Sequence, residues 1–413
     1  MARLMFITPS LAHGGAERHT VTLMNRLAER LHECHALHIK SRADLVPNLG
    51  EAGTVHDLAA ARYLDFAALR RLAHAIGRVG PAAIVTANPY ALMYASIALR
   101  LARIDAALVV TYHSNRLLGA KEWLQMIAYR PFFWSADAAI FVCERQRRHW
   151  MRRGVCSRTN EVIYNGVDTS WYADTWNAEA RRAIRAAWGF AEDDYVIGIS
   201  ALLRPEKNHV QLVDAVARLR ARGIPARALL VGDGEMRDVI ARRSRALGVE
   251  RDIVFAGVQP DVRPHVVACD AMVLCSFTEA FSLAALEAMS LGRAVVHSDV
   301  GGAAEMITHG VNGFLFPVRD TEALVDRLSR LAARDLAEAM GRAARVAVEA
   351  RFSERVMIDR YEATLRTLCH REPATDTHAR DAGDRDSAMT RHSAKDHGAS
   401  PDSPSGSWGS RNS

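Results

Sequence analysis

The stretch from Phe277 to Gly302, FTEAFSLAALEAMSLGRAVVHSDVGG, limits what the chain can fold into more than any other. From Ser282 to Gly292 every residue is small or apolar except one acid, Glu287. A helix without a polar face belongs in an interior. A lone carboxylate on such a helix is costly unless something hydrogen-bonds it. The sequence therefore asks for a partner at Glu287, either an arginine of the protein or a hydroxyl of a ligand. Glu279 stands just ahead of the helix, where it also complements the helix dipole. The strand VHSDV then runs into Gly301-Gly302, a turn or a point of close backbone approach to a ligand.

The rest of the chain alternates strand and helix. Leu4–Thr8 is a short apolar run followed by Gly14-Gly15 and an amphipathic helix, whose first N–H groups suit an anion. Ala82–Ala87 and Ala106–Tyr112 read as buried strands around a helix at Ala91–Ala102. Such alternation implies a parallel sheet with right-handed crossovers. His113 follows LVVTY at the carboxyl end of a strand, where α/β proteins bind ligands. Trp123–Trp134 reads as a core helix ended by a proline break. Beyond strand Ala138–Cys143, five arginines (145, 147, 148, 152 and 153) surround Trp150 on a helix that suits solvent or anionic lipid. Ala173–Asp194 is a polar entry helix and linker. A second α/β set starts at YVIGIS, and its first strand delivers Arg204 and Lys207 to its carboxyl end. A guanidinium fork beside a compact ammonium suits a diphosphate. HECHALH (32–38) divides its cysteine and histidines between two strand faces, so no metal site is expected there.

Composition sets the outer limits. A chain of 413 residues has room for two domains. Its formal charge of +6 comes almost wholly from arginines spread along the sequence, which argues against a nucleic-acid binder. The six cysteines form no CxxC pair and read as reduced thiols of a cytoplasmic protein. No apolar run approaches the roughly 20 residues of a membrane span. Residues 371–413 are too polar to offset ordering entropy and are expected to be disordered, which discounts the Asp384-Arg385-Asp386 triplet as a metal site.

Glu279-x7-Glu287 followed by Gly301-Gly302 resembles the nucleotide-sugar site of retaining glycosyltransferases of family 4. GGAER at Gly14, NGVD at Asn165, R-x-x-K at Arg204, VGDG at Gly232 and the GGxxE ending at Glu305 resemble the same family in the same order. The resemblance implies a GT-B fold of two Rossmann-like domains facing across a cleft. It assigns 1–170 to the acceptor-side domain, 171–351 to the nucleotide-sugar domain, 352–370 to a helix crossing back, and 371–413 to a tail. It implies retaining, metal-independent transfer without a cofactor, from a UDP- or GDP-sugar to a hydroxyl of a lipid-linked or polysaccharide glycan. Arg204, Lys207, Glu279 and His113 are the catalytic candidates. Gly14, Gly15, Gly232, Phe281, Ser282, Leu283 and Glu287 join Arg204, Lys207 and Glu279 in donor binding. Glu305 is expected to be structural. Peripheral membrane association is expected, and nucleic-acid binding is not. A nucleotide-sugar epimerase of the same architecture and a non-catalytic nucleotide-sugar binder are the alternatives.

Overall fold

The computed structural model describes residues 1–11, 15–41, 44–45, 49–50, 53–113 and 120–370. The expected tail and Gly14 lie outside these.

The first lobe opens with β1 (Arg3–Thr8), α1 (Gly15–Glu29), β2 (Glu33–His38), β3 (Gly53–Asp57), α2 (Phe66–Val79), β4 (Ala83–Ala87) and α3 (Asn88–Ala102). It continues with β5 (Ala107–Tyr112), α4 (Ala120–Ser135), β6 (Ala138–Phe141), α5 (Glu144–Met151) and β7 (Thr159–Val162). Its strands form one seven-stranded sheet in the order β3-β2-β1-β4-β5-β6-β7, every pairing parallel.

After α6 (Ala178–Ala187) the second lobe runs β8 (Tyr195–Ser200), α7 (His209–Ala221), β9 (Ala226–Val231), α8 (Arg237–Ala246), β10 (Ile253–Gly257), α9 (Arg263–Val267) and β11 (Ala271–Leu274). It ends with α10 (Leu283–Ser290), β12 (Ala294–Ser298), α11 (Ala303–Met306), β13 (Phe314–Phe316), α12 (Thr321–Leu331) and α13 (Arg334–Arg351). A six-stranded parallel sheet results, ordered β10-β9-β8-β11-β12-β13. Both sheets reverse strand order beside their first strand, and such a reversal opens a crevice at the carboxyl ends of the flanking strands.

Helix α14 (Glu354–Cys369) returns to the first lobe, where Met357, Ile358, Tyr361, Leu365 and Leu368 pack with Leu4, Phe6 and Leu27. The crossing point is tight. Val167 bridges Ser353, with Val167 N–H donating to Phe352 O at 3.0 Å and Glu354 N–H to Val167 O at 2.8 Å. Gly166 sits against this crossing so closely that a Cβ there would lie 2.7 Å from Glu354 Cα. Arg26 of α1 ties the same point by ion pairs to Glu354 and Asp168.

Three expectations need revision. Pro131 does not end α4, which runs through it to Ser135. Trp150 faces no membrane: it is buried, its ring 5.2 Å from that of Tyr112. Two elements between residues 39 and 81 go unmarked by the sequence reading, the short strand β3 and α2. The signals for α2 were present. Asp65 accepts from the Ala67 and Ala68 N–H groups at its start, and Gly80 closes it at φ 54°. In HECHALH, Cys34 joins the core while His35 bonds Thr54 and Glu33 on the opposite face. No helix among the described residues is long and apolar enough to cross a membrane.

Gly166→Ala should destabilise the chain by roughly 1–3 kcal/mol, the usual cost of forcing an atom into packed backbone. Thermal denaturation measures it, and an unchanged midpoint would mean the crossing can relax.

Candidate active site

Strands β8 and β11 are neighbours at the reversal of the second sheet. After β8 the backbone bends at Ala201, turns tightly where Arg204 N–H donates to Leu202 O at 2.8 Å, makes one 3-10 turn over Pro205–Lys207, and stops at Asn208 in the left-handed region. The loop after β11 carries Glu279. Phe277 N–H donates to Glu206 O at 2.8 Å and stitches the two loops together. Lys207 Nζ is ion-paired with Glu279 Oε1, and Ser276 Oγ donates to that same oxygen at 3.0 Å. Arg204 is exposed, with Glu206 as its nearest acid at 4.0 Å. The expected pair of converging cations is thus unequal. Lys207 is paired with an acid, while the Arg204 side chain is exposed to solvent.

Glu287 lies on α10 with 7% of its surface exposed. Two protein groups answer its burial. Tyr172 OH donates to Oε1 at 3.0 Å, and Arg18 of α1 in the first lobe stands 3.8 Å away. Burial pushes its pKa above the ordinary carboxylate value, opposed by the Arg18 charge and the Tyr172 hydrogen bond. Both contacts fall on one oxygen of the carboxylate.

The remaining candidates divide between ligand-facing and structural placements. Ser282 caps α10 by accepting from Ala285 N–H at 3.3 Å, and Leu283 is the first helical residue. Phe281 is buried between Tyr164 and Phe352, so any donor contact it makes falls to its main chain. Gly232 follows β9 and bonds Gly257 O through its N–H at 2.8 Å. Gly301 has φ 53° and lets its backbone lie directly on that of Glu279 and Ala280. Gly302 N–H is already given to Ala280 O at 2.8 Å, so that N–H is engaged within the protein. Gly15 begins α1, leaving the first-turn N–H groups beside the end of β1.

His113 comes directly after β5. Its ring is 4.7 Å from that of His19, whose Nε2 is 3.1 Å from Tyr361 OH on α14. His113 Nε2 is buried without a hydrogen-bond partner among the described residues. Burial pulls its pKa down to about 4, so the imidazole is neutral at pH 7.

Sequence reasoning missed the groups that bind the lobes to each other around this site. Glu305 Oε2 and Oε1 accept the Glu144 and Arg145 N–H groups at 2.8 and 2.9 Å, capping α5 of the opposite lobe. Arg145 adds an ion pair to Asp299 at 2.8 Å. Cys143 Sγ donates to Ala280 O at 3.4 Å, and Asn165 Nδ2 to Phe281 O at 3.1 Å. The GGxxE pattern marked Glu305, but nothing local says which helix it caps. Tyr172 gave no signal at all, whereas Arg18 stands inside the GGAER string.

Two parallel-sheet lobes meeting around this crevice define the type-B glycosyltransferase architecture. A model of Glycosyltransferase Family 4 matches residues 13–171, and one of Glycosyl transferases group 1 matches residues 180–347. The chain belongs to the group 1 glycosyltransferases of the family 4 type. It is 30% identical over 203 residues to N-acetyl-alpha-D-glucosaminyl L-malate synthase of Bacillus anthracis, covering 49% of this chain and 52% of that protein. It is 29% identical over 174 residues to the putative glycosyltransferase EpsD of Bacillus subtilis, covering 42% and 45% respectively. The chain thus spans about half the length of these two relatives. Anabaena HepE in complex with UDP superposes with a TM-score of 0.78 at 22% identity, over 88% of this chain and 100% of that one, a likeness of fold.

Glu287 binds a proton more tightly in the folded chain than in the unfolded one. The folded state is therefore favoured below the ordinary carboxylate range and loses that advantage as pH rises through the raised pKa. Glu287→Gln should remove this loss, so its melting temperature should gain on the parent above that range. Parallel pH–melting curves would contradict it. Glu305→Ala should cost about 1–2 kcal/mol, the scale of a lost helix cap, in chemical denaturation.

Proposed function

We propose that the chain transfers a sugar, with retention, from a UDP- or GDP-sugar to a hydroxyl of a lipid-linked or polysaccharide glycan. The observation that carries this reading is the Lys207–Glu279 ion pair beside the exposed Arg204, at the carboxyl ends of adjacent parallel strands. The solved likeness to HepE with bound UDP supports a uridine diphosphate donor.

The chemistry follows from charge. Breaking the bond from the anomeric carbon to the phosphate oxygen develops negative charge on the departing diphosphate. Lys207 and Arg204 stabilise it, joined by the first-turn N–H groups of α10 behind Ser282. Two cations and a helix end supply this charge without a divalent metal. The acceptor oxygen bonds to the same face of the sugar, and its proton passes to the phosphate oxygen that leaves. Glu287 accepts from ribose hydroxyls with the carboxylate oxygen that Tyr172 and Arg18 do not engage. Neutral His113 hydrogen-bonds the sugar from the first lobe. Glu279 holds Lys207 toward the diphosphate and faces the sugar beside it.

Contact with the inner face of a membrane is part of this reading. Trp123, Leu124 and Trp134 of α4 are exposed, and Arg148 and Arg152 lie exposed at α5. Apolar side chains beside arginines suit an anionic lipid interface.

The test is a panel of UDP-, GDP- and ADP-sugars in thermal shift, followed by turnover with anomer analysis of the product. Stabilisation by one nucleotide family and a retained anomer are expected; an inverted product, or release of nucleotide only by epimerisation, overturns the reading. Lys207→Ala should lower kcat by about 10²–10³, the usual cost of losing one transition-state charge contact. Because His113 titrates near 4, it should add no acidic limb to the pH–rate profile above about pH 5.

A further inference from the structure

A second concave surface lies on the second lobe and shares no residue with the crevice. It is a groove of about 710 Å³ between α6 and α13, floored by Leu291–Arg293 and the segment from Val267 to Asp270. Helix α6 has no buried residue.

Arginine dominates the lining. Arg181, Arg182 and Arg185 come from α6, Arg334, Arg342 and Arg345 from α13, and Arg293 from the floor. These are a third of the residues around the groove, whereas lysine and arginine together make only 53 of the 413 in the chain. Four acids share the lining, and two of them are committed. Asp174 accepts from both Arg181 and Arg293 at 2.6 Å. Asp270 accepts from Arg185 at 3.1 Å and from Val196 N–H at 2.7 Å. Positive charge is left over. Arg182 makes no hydrogen bond or ion pair among the described residues. Arg342 is 3.8 Å from Glu338 on its own helix, and Arg345 pairs with Glu349, which does not line the groove. At the floor, Arg293 Nε is buried without a partner among the described residues. Burial and the neighbouring Arg181 charge make Arg293 less basic than an ordinary guanidinium.

Like charges gathered in a concave surface focus a positive potential. A guanidinium fork pairs bidentately with phosphate oxygens, and several forks on two facing walls suit an anion carrying more than one phosphate oxygen cluster. We propose that the groove between α6 and α13 is a binding site for a phosphate-bearing anion, separate from the sugar-transfer crevice. A soluble phosphate ester and a phospholipid headgroup both offer this chemistry.

The probe is inorganic pyrophosphate, titrated calorimetrically into the full chain at low salt. Arg182, Arg342 and Arg345 lie outside the Asp174 and Asp270 ion pairs, so the triple variant R182A/R342A/R345A is expected to melt with the parent. It should weaken one pyrophosphate binding event at least about tenfold, a change of one decade in Kd. Lys207→Ala should leave that event intact. The single variant Arg182→Gln serves if the triple variant is unstable, and should weaken the same event. Binding unchanged in both groove variants, or insensitive to added salt, overturns the proposal. Vesicles of phosphatidylglycerol separate the two sources. Vesicle binding that falls in the triple variant assigns a headgroup, and vesicle binding unchanged alongside lost pyrophosphate binding assigns a soluble ester. The groove event does not depend on catalysis, so its failure and a failure of the transfer reaction are separately visible.

Discussion

A carboxylate buried on an apolar helix has to be compensated, and the way Glu287 is compensated draws the two lobes together. α10 is enclosed because it has no polar face, which carries Glu287 inward with it. Tyr172, from the segment that joins the lobes, supplies a hydrogen bond. Arg18, from the first helix of the other lobe, supplies charge. The compensation is partial, since burial still dominates the acid's proton affinity. One side chain thus contacts the connecting segment and the first lobe's leading helix from the second lobe's core helix.

The same economy recurs around it. Gly301 brings one loop into backbone contact with the loop that holds Glu279. Three residues after Gly302, Glu305 caps α5 across the lobe boundary. Two residues that read as donor contacts also join the lobes, Glu287 through Arg18 and Phe281 through Asn165. A carboxylate that accepts two main-chain N–H groups at a helix start is a strong, directional contact. It ties the start of α5 to α11, the short helix that follows Gly302.

Much of the site was legible before any fold was known, because its chemistry is local. Glu279, Glu287, Arg204 and Lys207 sit in short strings that stand out by their resemblance to the family, though each residue alone has an ordinary structural reading. His113 is marked by its position after an apolar strand. The Lys207–Glu279 pairing was not legible, because β8 and β11 become neighbours only when the sheet forms. The same holds for the His113–His19–Tyr361 arrangement, which joins β5, α1 and the last helix. Trp150 shows the opposite failure. Its arginine neighbours suggested a surface, but the packing against Tyr112 buried it.

By itself the sequence determined the strand–helix alternation, the parallel sheets, the apolar helix that has to be enclosed, and the residue types at the strand ends. These follow from periodicity and from backbone chemistry, which act over a few residues. Only the tertiary structure decided who partners Glu287, which N–H groups Glu305 caps, that Gly302 N–H is already spent, and that seven arginines meet in one groove. Those outcomes depend on which distant segments become neighbours, and contact across a fold is set by how the sheets and helices pack, not by order along the chain.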